Sequence, residues 1–584
     1  MKKNPVILLV LVSGLLLSGC GNDPSKERII ARDILCLNDD GDAIEKIGTI
    51  DLLYKANADI PYISLKEGMN LVNTVRSETV SKDYVLTLKQ EGDKATYTSP
   101  DKLEAVLDSK EQTITYYEFD GFLNHIHTYQ NTLALTAPEK GSSLHMLENR
   151  YEKGNSYTID LKGYSQIDIY KRGEDFYLPL TTYNDLFVNP YCMLNLVYDF
   201  DNVFLLTPAP FAAENDEGKQ ELTVIGKAFY DKKTDNPKVS KAYAEYNYQS
   251  ICLNFDYLYG VKGLKERNYT SFDAYLSSKG YKEDLLSGDV KKMDAAYAYA
   301  LSTLKDFHTV MSGFSPLYEY GHADIDEDKY DQYKVKEEKE QSALNIGRIL
   351  TGADLGFSVD VANNIAYIAF NEFSSIDERA LKKESWTKED LENSVTLFAC
   401  AYKEITTKYL GQIDTIAVDL ATNDGGSADG LAYMLGILLG QFSVESQNPF
   451  TGAHSKSTYK VDINRDGKVD ESDISFREYG MKVVFINTHF AFSCGNALPV
   501  LAKTNYPDAV TTIGETTGGG TCVVRDAFTA IGSKYSVSGL QMLSKRDKDN
   551  KLVNIEDGVT ADIALDGKLT IVRSEVVKAL KSQQ

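Results

Sequence analysis

The sequence predicts an α+β N-terminal region followed by an α/β domain. Short stretches that alternate polar and apolar residues, such as 113–117 and 176–180, recur up to about residue 210 and favour strands. From about residue 360 onward, apolar runs alternate with longer helical patterns, which is typical of a sheet whose strands are connected by helices. A stretch with a helical pattern, 240–308, lies between the two regions.

Composition and charge restrict the possible functions. The chain has 584 residues, of which 43% are hydrophobic, and its formal net charge is −23. This negative charge argues against a nucleic-acid partner, because nucleic-acid affinity depends on clustered cations that neutralise phosphates. No run of about 18 or more apolar residues follows the N-terminus, which excludes a polytopic membrane protein.

The N-terminus has the features of an export signal. Two lysines precede an apolar stretch, 6–17, that is too short to span a bilayer comfortably. The stretch ends in Leu-Ser-Gly-Cys, which resembles a bacterial lipobox. This resemblance implies a lipoprotein signal peptide over 1–20, a lipid on Cys20 and a polar tether over 21–30. The mature protein is then expected in the cell envelope, anchored by its lipid outside the cytoplasm; a simple signal peptide with an incidental cysteine is the alternative.

Three regions are expected after the tether. Residues 31–235 are predicted to form a β-rich α+β stalk or binding module, and residues 236–345 a helical subdomain. Within the latter, the charge-dense stretch 324–341 is expected to be an exposed loop or helix face. Residues 346–584 are predicted to form an α/β core. Four apolar residues of the helical subdomain recur at helical spacing and would share one face: Met293, Tyr297, Leu301 and Leu304.

The pattern of the α/β core predicts its elements in order. Apolar, β-branched runs predict strands, and longer amphipathic patterns predict helices. The predicted strands are 365–370, 415–420, 483–486 and 509–513, and the predicted helices are 391–410, 428–439 and 495–503.

Three polar or glycine-rich segments follow predicted strands of this core. Segment 419–426 ends in paired glycines, whose backbone can approach a ligand closely, and it precedes a helix whose N-terminus favours an anion. Ser493 opens the next predicted helix, where the helix N-terminus would favour its alkoxide. Segment 514–520 follows another strand and can form a loop that lines the same cleft.

Four motifs in this order resemble those of the C-terminal processing and tricorn-core family of serine peptidases. The motifs are 306–309 (DFHT), 419–426 (DLATNDGG), 493–496 (SCGN) together with 514–520 (GETTGGG), and 556–563 (EDGVTADI). The resemblance extends over about residues 240–570. It implies a ClpP/crotonase-like fold for the α/β core, which is expected to be a peptidase domain.

The resemblance implies Ser493 as the nucleophile. One branch of the family pairs the serine with a lysine in the glycine-rich loop, but Gly520 occupies that position here and no lysine lies in 514–524. The other branch uses serine, histidine and glutamate. It implies that His308 accepts the proton of the serine and that Glu556 orients His308.

Two of these assignments have alternatives. Asp557 competes with Glu556 for the acidic position, and His489 lies four residues before Ser493. The oxyanion is expected to be held by backbone N–H groups, those of Cys494 and of Gly425 or Gly426. The thiol of Cys494 is expected to be inert. The substrate loop is expected at three consecutive glycines: Gly518, Gly519 and Gly520.

An insertion near 455–478 contains a calcium-binding pattern. Residues 462–473 match the EF-hand rule of ligands at positions 1, 3, 5, 7, 9 and 12 with glycine at position 6. The last ligand is aspartate, which resembles dockerin-type loops, and a polar surface turn is the alternative. The expected ligands of a structural Ca²⁺ are Asp462, Asn464, Asp466, the Lys468 carbonyl, Asp470 and Asp473.

These observations predict a membrane-anchored, exported serine peptidase that hydrolyses extended polypeptides and needs no cofactor for catalysis. A non-catalytic protein of the same fold that binds a peptide or small ligand is the first alternative, because the lysine is missing. An adhesion or stalk protein is the second alternative.

The six cysteines after Cys20 permit disulfides, whose pairing stays open. There is no Cys-x-x-Cys pair of the kind that binds zinc.

Overall fold

The computed structural model describes residues 25–582, except 39, 80–84, 125–141, 193, 208–209, 215–218, 232–233, 322–324 and 327–331. Cys20 and the expected signal peptide lie outside the described residues, so their assignment stays a prediction. In the part of the chain that is described, no helix combines the length and the apolar composition needed to cross a membrane.

The chain divides into two compact units. The first comprises Met1–Ile126, Lys153–Asp331 and Val524–Gly539, and the second comprises His127–Glu152, Gln332–Val523 and Leu540–Gln584.

The described residues of the first unit form three β-sheets and several helices. The seven-stranded sheet has the order Tyr170–Arg172, Asp175–Pro179, Tyr62–Ser64, Ile44–Tyr54, Arg28–Leu37, Val203–Leu206 and Asn195–Tyr198. The five-stranded sheet has the order Thr87–Glu91, Lys94–Thr98, Glu104–Asp108, Thr113–Tyr116 and Tyr157–Asp160, and the two-stranded sheet pairs Ala212–Glu214 with Gln220–Leu222. Short, mostly antiparallel strands of this kind confirm the predicted β-rich α+β region.

Side-chain caps fix the starts of the main helices in the first unit. Ser240 accepts a hydrogen bond from the N–H of Tyr243 at the start of one helix, and Asp289 accepts one from Lys292 at the start of another. The four apolar residues predicted to share a face, from Met293 to Leu304, are all buried. The helices are Leu65–Thr79, Phe119–Asn124, Leu180–Tyr183, the π-helix Asn184–Val188, Asn189–Cys192, Val224–Phe229, Lys241–Tyr257, the 3₁₀ turn Lys265–Arg267, Phe272–Lys279, Lys282–Leu285 and Val290–Ser302.

A mixed six-stranded sheet forms the centre of the second unit. Its order is Gly356–Asp360, Ile365–Ala369, Thr415–Asp419, Lys482–Asn487, Val510–Gly514 and Ile563–Ala564. The first pair is antiparallel and the following pairs are parallel. The inner strands are almost continuous apolar runs because both faces of the sheet are buried.

Helices and a second sheet surround the central sheet of this unit. In the second sheet, Phe442–Gln447 pairs with His454–Val461, which pairs with Leu144–Glu152; Lys534–Arg546 pairs with Phe442–Gln447 and with Leu552–Asn554. Cys522–Phe528 and Lys534–Arg546 have residues in both units. The helices are Gln332–Thr351, Glu378–Leu381, Ser394–Lys408, Ala428–Leu439, Cys494–Asn505, Gly567–Thr570 and Arg573–Lys581, with 3₁₀ turns at Val361–Asn363 and Asp390–Glu392.

The predicted fold class, an α+β N-terminal region followed by an α/β domain, is confirmed by these sheets. The predicted domain bounds at residues 235 and 345 stay predictions. Two parallel strands, Thr415–Asp419 and Lys482–Asn487, lie side by side and therefore end at the same edge of the central sheet. The segments that follow them, 420–427 and 488–493, carry the predicted nucleophile and glycine turn.

Candidate active site

Ser493 lies in a strained turn between the strand Lys482–Asn487 and the helix Cys494–Asn505. Its φ is 55° and its ψ is −121°, in a region that residues other than glycine rarely adopt. Its N–H donates to the carbonyl of Gly519 at 2.9 Å. The side chain is partly exposed, whereas the neighbouring helix residues are buried. Backbone strain of this kind persists only where the surrounding structure holds it, and it is concentrated at functional sites.

Gly425 approaches Ser493 so closely that no other residue fits. Its φ is +113°, and a Cβ at this position would lie 2.6 Å from the Cβ of Ser493. The Gly425 N–H donates to Oδ1 of Asn423 at 3.0 Å, and the Asn423 carbonyl accepts the N–H of Phe492 at 3.1 Å. The predicted glycine turn and the serine turn are therefore joined directly.

The glycine-rich loop also lies against Ser493. A Cβ on Gly520 would be 2.8 Å from the Ser493 nitrogen. Oε2 of Glu556 accepts the N–H groups of Gly520 and Thr521, both at 3.2 Å. Glu556 is only 5% exposed, whereas Asp557 is exposed. The buried carboxylate thus holds the loop that borders Ser493.

Asn496 was not among the residues predicted from the sequence. It lies one turn after Ser493, where its Nδ2 donates to the Ile555 carbonyl at 3.1 Å and its Oδ1 accepts the Thr517 hydroxyl at 2.7 Å. The same hydroxyl accepts the N–H of Val559 at 2.7 Å. This amide therefore joins the helix, the glycine-rich loop and the 555–559 segment. Its place as the last residue of the 493–496 motif was the one available indication.

Cys494 has the character of a structural thiol. Burial raises the pKa of the Cys494 thiol to about 12. Its Sγ donates to the carbonyl of Gly426 at 3.2 Å. A thiol with so high a pKa is protonated at neutral pH and is a poor nucleophile.

His308 belongs to the first unit, whereas Ser493, Glu556 and the glycines belong to the second. A tight turn holds His308: Oδ1 of Asp306 accepts the N–H of His308 at 3.1 Å, and Oδ2 accepts the Thr309 hydroxyl at 2.7 Å. Tyr259 donates a third hydrogen bond to Asp306 at 3.0 Å. Burial lowers the pKa of His308, although Asp306 raises it. The neutral imidazole, which can accept a proton, is therefore favoured at neutral pH.

Residues 364–565 match the model of peptidase family S41. This region belongs to peptidase family S41. The S41 region contains Ser493, Glu556 and the glycine segments, and it confirms the family predicted from the four motifs. His308 lies outside the matched residues.

Several solved structures have a weaker likeness to this chain. A photosystem II D1 C-terminal processing protease is 16% identical over 35% of this chain and 43% of its own, with a TM-score of 0.26. A lipoprotein from Streptococcus agalactiae is 12% identical over 58% of this chain and 97% of its own, with a TM-score of 0.34. The tricorn protease is 10% identical over 95% of this chain and 62% of its own, with a TM-score of 0.28. None of the curated proteins compared with the chain matches it, and the family assignment rests on the S41 model.

A buried ion-pair network supports the glycine turn of the S41 region. Arg348, on the helix Gln332–Thr351, donates two hydrogen bonds to the carboxylate of Asp419, at 2.8 and 2.7 Å. Arg573 donates a third at 2.7 Å. Burial opposes the ionisation of Asp419, but the two guanidinium groups hold its pKa at about 2. Arg348 also donates to the hydroxyl of Thr422, so the network fixes the start of the turn that ends at Gly425.

His489 lies near Ser493 in sequence, and carboxylates contact its imidazole. Its Nδ1 is 2.8 Å from Oε2 of Glu515, and its Nε2 is 3.3 Å from Oε2 of Glu337. These contacts occupy both ring nitrogens. The preference for His308 over His489 as the proton acceptor stays a prediction.

The predicted calcium loop is a compact turn in which backbone N–H groups bind carboxylates. Asp462 accepts the N–H of Gly467 at 2.8 Å, and Asp473 accepts the N–H of Ile463 at 2.7 Å. Both carboxylates are buried, and the nearby charge of Asp473 adds to burial in raising the pKa of Asp462. The loop lies between the strands His454–Val461 and Lys482–Asn487. Calcium binding itself stays a prediction.

Proposed function

We propose that the protein is a serine peptidase that hydrolyses peptide bonds of extended polypeptides. The observation that carries the proposal is the strained turn of Ser493 inside an S41 region, with Gly425 and Gly520 packed against it. A serine at the start of a helix that needed only a cap would have no reason to adopt a positive φ or to be enclosed by two glycines. A nucleophilic serine would have a reason for both, because its hydroxyl must be presented to the substrate and the substrate carbonyl needs the space that side chains at the two glycines would fill.

In the proposed mechanism, Oγ of Ser493 attacks the substrate carbonyl and its proton passes to the imidazole of His308. The oxyanion of the tetrahedral intermediate accepts the N–H groups of Cys494 and Gly426, since the N–H of Gly425 already donates to Asn423. One such donor contributes about 3–4 kcal/mol in other serine peptidases. The imidazolium then protonates the leaving amine, and water hydrolyses the acyl-enzyme with the same imidazole as base.

We assign the orientation of His308 to Glu556 rather than Asp557. Glu556 is buried and bound to the loop beside Ser493, whereas Asp557 is exposed and its charge would be screened. No cofactor is needed for these steps.

The test is whether the full chain hydrolyses an unfolded protein and whether Ser493→Ala removes that hydrolysis. Binding of peptides without cleavage by the wild-type chain would instead favour the non-catalytic alternative.

We also propose that the enzyme lies in the cell envelope, anchored through Cys20. Retention of Cys20→Ser in the membrane fraction, at the wild-type level, would count against that anchor.

We further propose that the 462–473 loop binds Ca²⁺, which rigidifies the insertion. Ca²⁺ at about 100 times its dissociation constant is expected to stabilise the folded loop region by about 2.7 kcal/mol, because it binds the folded form alone. Thermal unfolding with and without Ca²⁺ measures this effect, which the double change Asp462→Ala and Asp466→Ala should remove. Glu471→Ala is the matched control, since position 10 of the loop supplies no ligand. An equal Ca²⁺ response of the double variant and the control would refute the site.

A further inference from the structure

A cluster of metal-ligating side chains lies outside the proposed catalytic groups. One ligand atom each from Glu337, Glu340 and His489 lies within 4.8 Å of the others. The two glutamates lie one turn apart on the helix Gln332–Thr351, and His489 lies between the central strand Lys482–Asn487 and Ser493. Nε2 of His489 is 3.3 Å from Oε2 of Glu337. Two atoms that share one tetrahedral zinc ion at about 2.0–2.2 Å lie roughly 3.3–3.6 Å apart.

A fourth side chain orients the imidazole independently of this cluster. Oε2 of Glu515 is 2.8 Å from Nδ1 of His489, and Oε1 of Glu515 accepts the N–H of Gly567 at 3.0 Å. When Nδ1 carries the proton, Nε2 has only a lone pair. The two neighbouring atoms, Nε2 of His489 and Oε2 of Glu337, are then both hydrogen-bond acceptors. A carboxylate on the distal nitrogen is the arrangement found around histidines that bind metal ions.

Packing fixes the helix that carries the two glutamates, and the carboxylates give the cluster a negative charge. Leu344 of the same helix packs against Phe490 and Ile571 in a small buried cluster, which fixes the helix beside His489. The side chain of Glu337 is only 13% exposed. Lys336 is 3.7 Å from Oε1 of Glu340 but is itself largely exposed. Three carboxylates therefore surround one imidazole with little compensating charge.

We propose that Glu337, Glu340 and His489 bind a divalent transition-metal ion of the Zn²⁺ class, with Glu515 orienting the imidazole. Three protein ligands of the nitrogen and carboxylate type leave one position of a tetrahedral ion for water. A hard, oxygen-preferring ion such as Ca²⁺ is not expected at a histidine. The ion would tie the helix Gln332–Thr351 to the segment that leads to Ser493.

The test is a titration of the full chain, carrying Ser493→Ala, with Zn²⁺ by calorimetry and with Co²⁺ by visible absorption. Excess Ca²⁺ in the buffer keeps the 462–473 loop from contributing. We expect one equivalent of each metal ion and Co²⁺ bands of nitrogen and oxygen ligation. His489→Ala should abolish binding, and Glu515→Gln should weaken it by about 10- to 100-fold.

Two further variants make the result decisive. Glu340→Gln changes an exposed side chain and should fold normally while binding the ion at least tenfold more weakly, since it loses one of three ligands. Glu338→Gln, exposed on the same helix, is the matched control and should bind as the parent does. Absence of stoichiometric binding in the parent, or equal binding by the parent and His489→Ala, would overturn the proposal. Neither readout depends on peptidase activity.

Discussion

Ser493→Ala is expected to lower kcat/KM for peptide hydrolysis by about 10⁴- to 10⁶-fold. The change removes the proposed attacking atom and leaves the other side chains of the site in place. Alanine differs from serine only by the hydroxyl, so the positive φ at this position costs both residues about the same. Hydrolysis of a fluorogenic peptide or of an unfolded protein, at matched enzyme concentrations, measures the loss.

A neighbouring variant separates chemistry from structure. Cys494→Ala removes the one other candidate nucleophile next to Ser493, together with its hydrogen bond to the Gly426 carbonyl. Because the Cys494 thiol is protonated at neutral pH, this variant should keep activity within about tenfold of the wild-type value. Loss of activity in Cys494→Ala together with its retention in Ser493→Ala would exchange the two roles and refute the assignment.

Arg348→Met is expected to destabilise the second unit by about 3–5 kcal/mol. The guanidinium of Arg348 is 2% exposed, and the Asp419 carboxylate that it binds at two oxygens is completely buried. Removing Arg348 leaves the buried carboxylate with Arg573 as its remaining guanidinium partner, so its desolvation is offset only in part. Unfolding of this unit can be followed by the fluorescence of Trp386. It is the single tryptophan of the chain, and it packs against the core of this unit.

Urea unfolding followed by Trp386 fluorescence measures this loss. The double variant Arg348→Met with Asp419→Asn should regain much of the stability, because no buried carboxylate remains uncompensated. Lys339→Met, exposed on the same helix as Arg348, should change stability by less than about 0.5 kcal/mol. If Arg348→Met were as stable as Lys339→Met, the network would have no structural role.

Elements of the α/β core were predictable because their patterns are local. The strand predicted at 415–420 is Thr415–Asp419, and the helix predicted at 428–439 has those bounds in the structure. The strand Leu144–Glu152 was not predicted. It pairs with His454–Val461, which is about 300 positions later in the sequence, and its alternation is weak because most of its residues are partly or fully exposed.

The contrast between local patterns and long-range contacts also applies to the residues of the site. The turns at Ser493 and Gly425 were predictable because a serine at a helix start and paired glycines after a strand are features of single segments, whereas the role of Ser493 was implied by the family resemblance and stays a prediction. Arg348 was not, because it pairs with a carboxylate 71 positions away and only the tertiary structure brings them together. The charged stretch 324–341 predicted an exposed loop or helix face. Lys336 and residues 338–340 are exposed, whereas the side chain of Glu337 is largely buried beside His489.

We propose that Ser493 is a nucleophile activated by His308. The most direct measurement is the rate at which a fluorophosphonate probe forms a covalent adduct, with the modified residue mapped by mass spectrometry. We expect an adduct on Ser493 that forms in the wild-type chain and in His489→Ala but at least about 100-fold more slowly in His308→Ala. An adduct on another residue, no adduct at all, or unchanged labelling of His308→Ala would contradict it.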